Sequence, residues 1–221
     1  MELNANDLLR IKDISSLVGH FQQNPWIDEA VKRAPLVVVR RAPIINDMVP
    51  VGIRGSDRNQ RCAAIILCST IIDRITPEQL AEGKLWRTNK HIRESKLFPS
   101  LEVVDAILSN SGIAWGLAGS VGFELASGVP TVTITSDLDI VIRIPSFLAV
   151  KTAKKLATEL AQVPIQVDIQ IETPKGGVAL AEYARGDNPV LLRTVNGPKL
   201  VTNPWSEDEV KLESDVVSSP T

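Results

Sequence analysis

Two carboxylates spaced by one residue stand in an alternating run, SDLDIVIRI, from Ser136 to Ile144. On a strand, residues i and i+2 project from the same face. Asp137 and Asp139 are therefore expected side by side, with Leu138, Ile140 and Ile142 elsewhere on the pleat. Neighbouring carboxylates repel, and burying them unpaired is unfavourable. A hard divalent cation relieves both problems, and oxygen ligands suit Mg2+ or Mn2+. The same pair also fits a plainer reading, two exposed acids guarding an edge strand against association.

Two further segments bear on this choice. Upstream, GLAGSVGFEL reads as a strand, a Gly119-Ser120 turn and a helix start. Free backbone N–H groups at a helix N-terminus form a phosphate site. Ser120 would add a hydroxyl, and Gly119 would let a phosphate approach the backbone; an ordinary strand-to-helix turn is the alternative. Downstream, IQVDIQI places Asp168 in mid-strand between apolar residues. Packing beside Asp137 and Asp139 would explain it, as would a solvent-facing position. A third group, Arg54, Arg58 and Arg61, flanks a glycine turn in GIRGSDRNQR. Guanidinium groups bind phosphate through bidentate hydrogen bonds, although surface arginines without a ligand look the same.

The elements that must position these residues fall into two parts. From residue 1 to about 98, PLVVVRR, VPVGIRG and RCAAIILCSTII are three apolar segments separated by Pro and Gly, which predicts a small sheet. Thr76-Pro77-Glu78-Gln79 predicts a helix start, with Thr76 as cap and Pro77 at the first helical position. A boundary is placed near Pro99, with Ser100 capping a helix through Leu108 that ends at Asn110-Ser111-Gly112. Residues 99–205 then alternate strands at 113–117, 136–144 and 165–171 with helices at 120–126 and 148–162. The expectation is an α/β (α+β) fold, a mixed sheet with flanking helices. Residues 206–221 hold five acids and one Lys and no aromatics, and are expected to be a disordered tail.

Composition narrows the class. The chain has 221 residues, 44% hydrophobic, with a formal charge of −2, so broad binding to nucleic acid or to a membrane surface is not expected. Residues 32–93 carry 12 Lys or Arg against 5 Asp or Glu, which points to an anionic ligand or a solvated face. Cys62 and Cys68 fit no usual metal spacing and are expected to be buried thiols, consistent with a cytoplasmic home. His20 and His91 form no ligand-spaced pair. The four Trp are scattered and are assigned to packing. Ser69 and Ser120 lack a nucleophile-elbow context.

A Gly-Ser turn, an Asp-x-Asp strand and a third acid on a later strand resemble the nucleotidyltransferase constellation of the polymerase-beta superfamily. The 16 residues between Ser120 and Asp137 make a longer stretch than is usual there, and a turn at Gly128-Val129-Pro130 accounts for it. More specifically, PWIDEAVKRAPLVVVRRAP, VPVGIRGSDRNQRCAAII, GSVGFELASGVPTVTITSDLDIVIR, GGVALAEYARG and VLLRTVNGPKLVTNPW look like the phosphoribosyl-dephospho-CoA transferase (MdcG) family of malonate decarboxylase. NANDLLR stands where that family often has a His before the Asp. The resemblance implies a nucleotidyltransferase-like fold with an additional, smaller N-terminal sheet domain. It implies attachment of 2′-(5″-phosphoribosyl)-3′-dephospho-CoA to a serine of the apo acyl-carrier subunit. The donor would be the 5″-triphosphoribosyl form, and pyrophosphate would leave. Asp137 and Asp139 would hold the metal, and Asp168 would position it or accept the serine proton. Two other readings remain: an ATP-dependent protein or small-molecule nucleotidyltransferase, and an inactive binding module of the same fold.

Overall fold

The computed structural model describes residues 2–19, 24–57 and 59–206. Arg58, His20 and the acidic segment after Ser206 lie outside the described residues.

The first sheet is antiparallel and six-stranded. Its strands are β1 (Leu8–Ile11), β2 (Leu17–Val18), β3 (Leu36–Val39), β4 (Met48–Arg54), β5 (Arg61–Leu67) and β6 (Ile71–Ile75), in the order β2-β5-β4-β3-β1-β6. The run RCAAIILCSTII is thus two strands on opposite sides of the sheet. Both halves are apolar, so composition hides the corner at Cys68–Thr70. β4 alternates strictly, with Val49, Val51 and Ile53 in a core that also takes Ile27 and Val31 of helix α1 (Trp26–Arg33). Its other face carries Pro50, Gly52 and Arg54. Cys62 and Cys68 are free, and both are half-buried against this core rather than fully buried.

Helix α2 (Pro77–Glu82) starts as the sequence predicts. Thr76 Oγ1 accepts from Gln79 N at 3.2 Å, and the Gln79 side chain accepts from Thr76 N at 2.8 Å, a reciprocal capping box. A short helix α3 (Lys90–Arg93) follows, then α4 (Leu97–Ser111). α4 begins three residues before the expected cap. Pro99 lies in its first turn, where a missing N–H is tolerated, and Ser95 Oγ accepts from Leu97 N at 3.2 Å. Ser100 is fully buried inside the helix rather than capping it. Gly112 ends it at φ +69°.

The second sheet holds β7 (Ala114–Leu117), β8 (Leu138–Arg143), β9 (Val167–Thr173), β10 (Gly176–Ala179), β11 (Val190–Thr194) and β12 (Gly197–Val201). Their order is β12-β11-β10-β9-β8-β7, with β8 and β9 parallel and the other neighbours antiparallel. Helices α5 (Gly119–Ser127), α6 (Val150–Leu160) and α7 (Leu180–Arg185) complete it. Trp86 and Trp115 pack together at 6.2 Å, and Trp205 packs edge-on against Tyr183 and Phe147, as expected of packing residues.

The two sheets share one apolar core. Leu8 and Leu36 of the first sheet join Leu138 and Ile142 of the second, with Leu101 of α4 and Val121 of α5. α2 lies directly on β7, so closely that a Cβ at Gly116 would overlap Pro77. Where β1, β6, α2 and β8 meet, Asp7 is wholly buried. It accepts from Asn4 N at 2.9 Å and lies 3.8 Å from Arg74 Nε and 3.9 Å from Arg143 Nη2. Arg143 Nε also donates to Glu78 at 2.5 Å. Among the described residues no helix is long and apolar enough to cross a membrane.

Candidate active site

A cavity of about 1080 Å³ opens between the two sheets. Asp137, Asp139 and Asp168 line it, with Gly119, Arg54 and Arg61. β8 is an inner strand, flanked by β7 and β9, so its acids are not the guard of an edge. Asp137 stands one residue before β8, and Asp139 lies within it. The parallel register pairs Asp139 with Asp168 on β9, which puts the third acid on the same face. Asp168 is exposed and accepts from Gln166 Nε2 at 3.0 Å.

Like charges crowd this wall of the cavity. Burial holds the Asp139 carboxyl above the usual carboxylate range, and the charges of Asp137 and Asp168 push it further up; Arg61 and Arg54 offset this only in part. A carboxyl perturbed by burial and by like charges in a cleft is a candidate functional group. Arg54 and Arg61 face each other across β4 and β5. The Arg54 guanidinium also lies 5.9 Å from the Phe123 ring centre. Arg58 falls on a residue outside the description.

Gly119 is required by its surroundings. Its φ is +56°, and a Cβ there would overlap the Asp139 carboxylate. α5 therefore begins hard against that acid. No side chain caps its N-terminus, and uncapped N–H groups of this kind are able to bind an anion. Ser120 is buried and does not line the cavity, unlike Gly119. The longer connection to β8 is anchored by buried Glu124, which accepts from Thr131 N at 2.7 Å and Val132 N at 2.8 Å. His91 Nδ1 lies 2.8 Å from the same carboxylate, which gives this His a structural place.

Among the described residues no group of three or more His, Cys, Asp and Glu is arranged to hold a metal by itself. Magnesium asks for less. It is usually held by one or two carboxylates, with waters and substrate phosphates completing the shell. The hard oxygen donors of Asp137 and Asp139, beside arginines and open helix N–H groups, fit an ion of that kind.

Sequence reasoning missed Arg40 and Arg193, which also line the cavity, along with Gln166, Gln170 and Phe123. Alternation offers a signal for Gln166 and Gln170, since both share the face of Asp168 in IQVDIQI. Nothing local marks Arg40, at the end of an apolar run, or Arg193.

A mixed sheet with paired acids on an inner strand, beside a glycine turn into a helix, defines a nucleotidyltransferase-like transferase fold. The comparisons narrow this. The phosphoribosyl-dephospho-CoA transferase MdcG C-terminal domain model matches residues 84–204, and the N-terminal domain model matches residues 4–77. A phosphoribosyl-dephospho-CoA transferase of Pseudomonas syringae pv. tomato is 36% identical over 205 residues, 93% of this chain and 94% of the relative. One of Pseudomonas aeruginosa is 38% identical over 195 residues, covering 87% and 91%, and one of Klebsiella pneumoniae is 35% identical over 185 residues, covering 84% and 88%. No solved structure matches. The chain belongs to the MdcG phosphoribosyl-dephospho-CoA transferase family.

Proposed function

We propose that the cavity binds 2′-(5″-triphosphoribosyl)-3′-dephospho-CoA and transfers its phosphoribosyl-dephospho-CoA group to a serine of the apo acyl-carrier subunit of malonate decarboxylase. The observation that carries this reading is the convergence of Asp137, Asp139 and Asp168 with Arg54, Arg61 and the open end of α5 in one cavity. The triphosphate lies against the arginines and the N–H groups at Gly119, at the start of α5. The carrier serine Oγ forms a bond to the α-phosphorus, the α–β bridging bond breaks, and pyrophosphate leaves. Asp168, exposed at the cavity wall, takes the serine proton or holds the attacking group in place. Asp137 and Asp139 would hold Mg2+ or Mn2+, which would neutralise the crowded phosphate oxygens.

The test is incubation of apo-carrier with the protein, magnesium, and either the triphosphoribosyl donor or ATP, read by intact mass. The expected result is a gain of one phosphoribosyl-dephospho-CoA from the first donor and none from ATP. The gain should vanish with a strong chelator and return with magnesium or manganese. A mass gain of AMP would replace this reading with protein adenylylation. Undiminished transfer by chelated, metal-free protein would remove the cation from it.

A further inference from the structure

The cavity has a second cationic end. On the second sheet, successive cross-strand rows on the cavity face run Asp139–Asp168, then Gln170–Ala179, then Glu172–Gly177–Arg193. The last row lies four residues along the strands from the first, about 13 Å at 3.3 Å per residue. The first sheet reaches over to that end. The Arg41 guanidinium pairs with buried Glu172. It lies so close over Gly177 that a Cβ there would come 2.9 Å from Arg41 Nη2. This contact fixes the corner that follows β3, and Arg40 with it. Arg40 N donates to Pro50 O at 2.9 Å, and its side chain packs over Gly52.

Arg40 and Arg193 thus flank the Arg41–Glu172 pair from opposite sheets, and both line the cavity. Arg41 is neutralised by Glu172. Arg40 and Arg193 are exposed, and among the described residues neither has a carboxylate within ion-pair distance. The cavity therefore holds two separate cationic sets, one at the acids and one beyond Gln170.

A ligand with one run of phosphates needs only the first. The donor proposed above carries two: the 5″-triphosphate, and the diphosphate that joins adenosine to the pantetheine arm. Two ribose rings separate them. We propose that Arg40 and Arg193 form a second anion subsite that takes the dephospho-CoA diphosphate, while Arg54 and Arg61 serve the triphosphate. This assignment rests on the donor reading and deepens it. It gives the protein a way to hold the carrier-bound part of the donor independently of the part that leaves.

The probes are two fragments, each bearing one phosphate run: dephospho-CoA and inorganic triphosphate. Their binding is measured by calorimetry on the full chain and on Arg40→Ala, Arg193→Ala, Arg54→Ala and Arg61→Ala, with adenosine as the phosphate-free control. Melting curves establish that each variant is folded, and Arg40→Lys and Arg193→Lys serve where an alanine variant is not. Losing one charged hydrogen bond to phosphate weakens binding about tenfold or more. The expected result is that loss for dephospho-CoA in the Arg40 and Arg193 variants, with triphosphate affinity unchanged, and the converse in the Arg54 and Arg61 variants. Adenosine affinity should not move.

If dephospho-CoA binds the Arg40 and Arg193 variants as it binds the parent, the second subsite is overturned. Triphosphate binding that still depends on Arg54 and Arg61 would leave the donor reading standing. Failure of the parent to bind dephospho-CoA overturns the subsite. An equal loss of both probes in all four variants shows a single diffuse cationic surface, which also overturns it.

Discussion

Asp7 and Asp139 are both aspartates whose burial holds the carboxyl above its usual range, yet their surroundings are opposite. Asp7 sits between Arg74 and Arg143 and accepts a backbone hydrogen bond. The protein places two cations near it, although Glu78 opposes them and Oδ1 has no hydrogen-bond partner among the described residues. Asp139 faces two more carboxylates, and Arg61 and Arg54 offset them only in part. One site is closed, and it ties β1, β6, α2 and β8 together. The other is left short of positive charge, in a cavity, and the function proposed above would complete it with a cation and an anionic substrate. Burial alone therefore says little about purpose; the sign of the neighbours decides.

The sharpest way to break this contrast is Asp137→Asn. The amide keeps the shape and weakens cation binding, so transfer should fall roughly a thousandfold or more at equal magnesium. Near-normal transfer with an unchanged melting curve would remove Asp137 from the chemistry. Asp168→Ala should act less strongly, lowering turnover about ten- to hundredfold with donor affinity nearly kept. Steady-state kinetics separate the two, and an effect confined to KM would make Asp168 a binding group only.

Asp7→Ala should do the reverse. It leaves Asn4 N without its acceptor and Arg74 without its nearby anion, and it empties a buried site, while Arg143 keeps Glu78; against the relief of a carboxyl that burial holds high, stability should still drop by about 1–3 kcal/mol. The turnover of the remaining folded protein should stay close to the parent's. Denaturant melts and kcat, measured on the same preparation, check both halves of that statement. A large loss of kcat in fully folded protein would mean that the junction of the two sheets shapes the active site directly.

Much of the site is legible in the sequence because its signals are local. Alternation in SDLDIVIRI and IQVDIQI fixes which residues share a face, and the parallel pairing of β8 with β9 then brings Asp168 beside Asp139. Gly119 is readable as a turn, but its contact with Asp139 is tertiary. The parts that were not legible depend on the fold bringing distant segments together. Arg40 and Arg193 are 153 residues apart and meet in one cavity, where Arg41 docks on Glu172 between the sheets. Asp7, in NANDLLR, has no local pattern that announces a buried charge, since its partners come from β6 and β8. Pro99 misled for a different reason: proline ends most helices but is tolerated in a first turn, and α4 uses it there.

The most direct measurement is the melting midpoint of Asp139→Asn against the parent in metal-free buffer, with transfer assayed on the same protein. A carboxyl raised above its unfolded value opposes folding once pH exceeds the ordinary carboxylate range, and the opposition is complete above its folded pKa. Removing that charge should therefore raise the midpoint at neutral pH while abolishing transfer. A relief of about 1 kcal/mol corresponds to a rise of about 2–4 °C for a chain of this size. The difference should shrink toward acid pH, where the parent carboxyl is itself protonated. A midpoint that falls at neutral pH, or transfer that survives, would contradict the claim that Asp139 is held in place for a cation at the expense of stability.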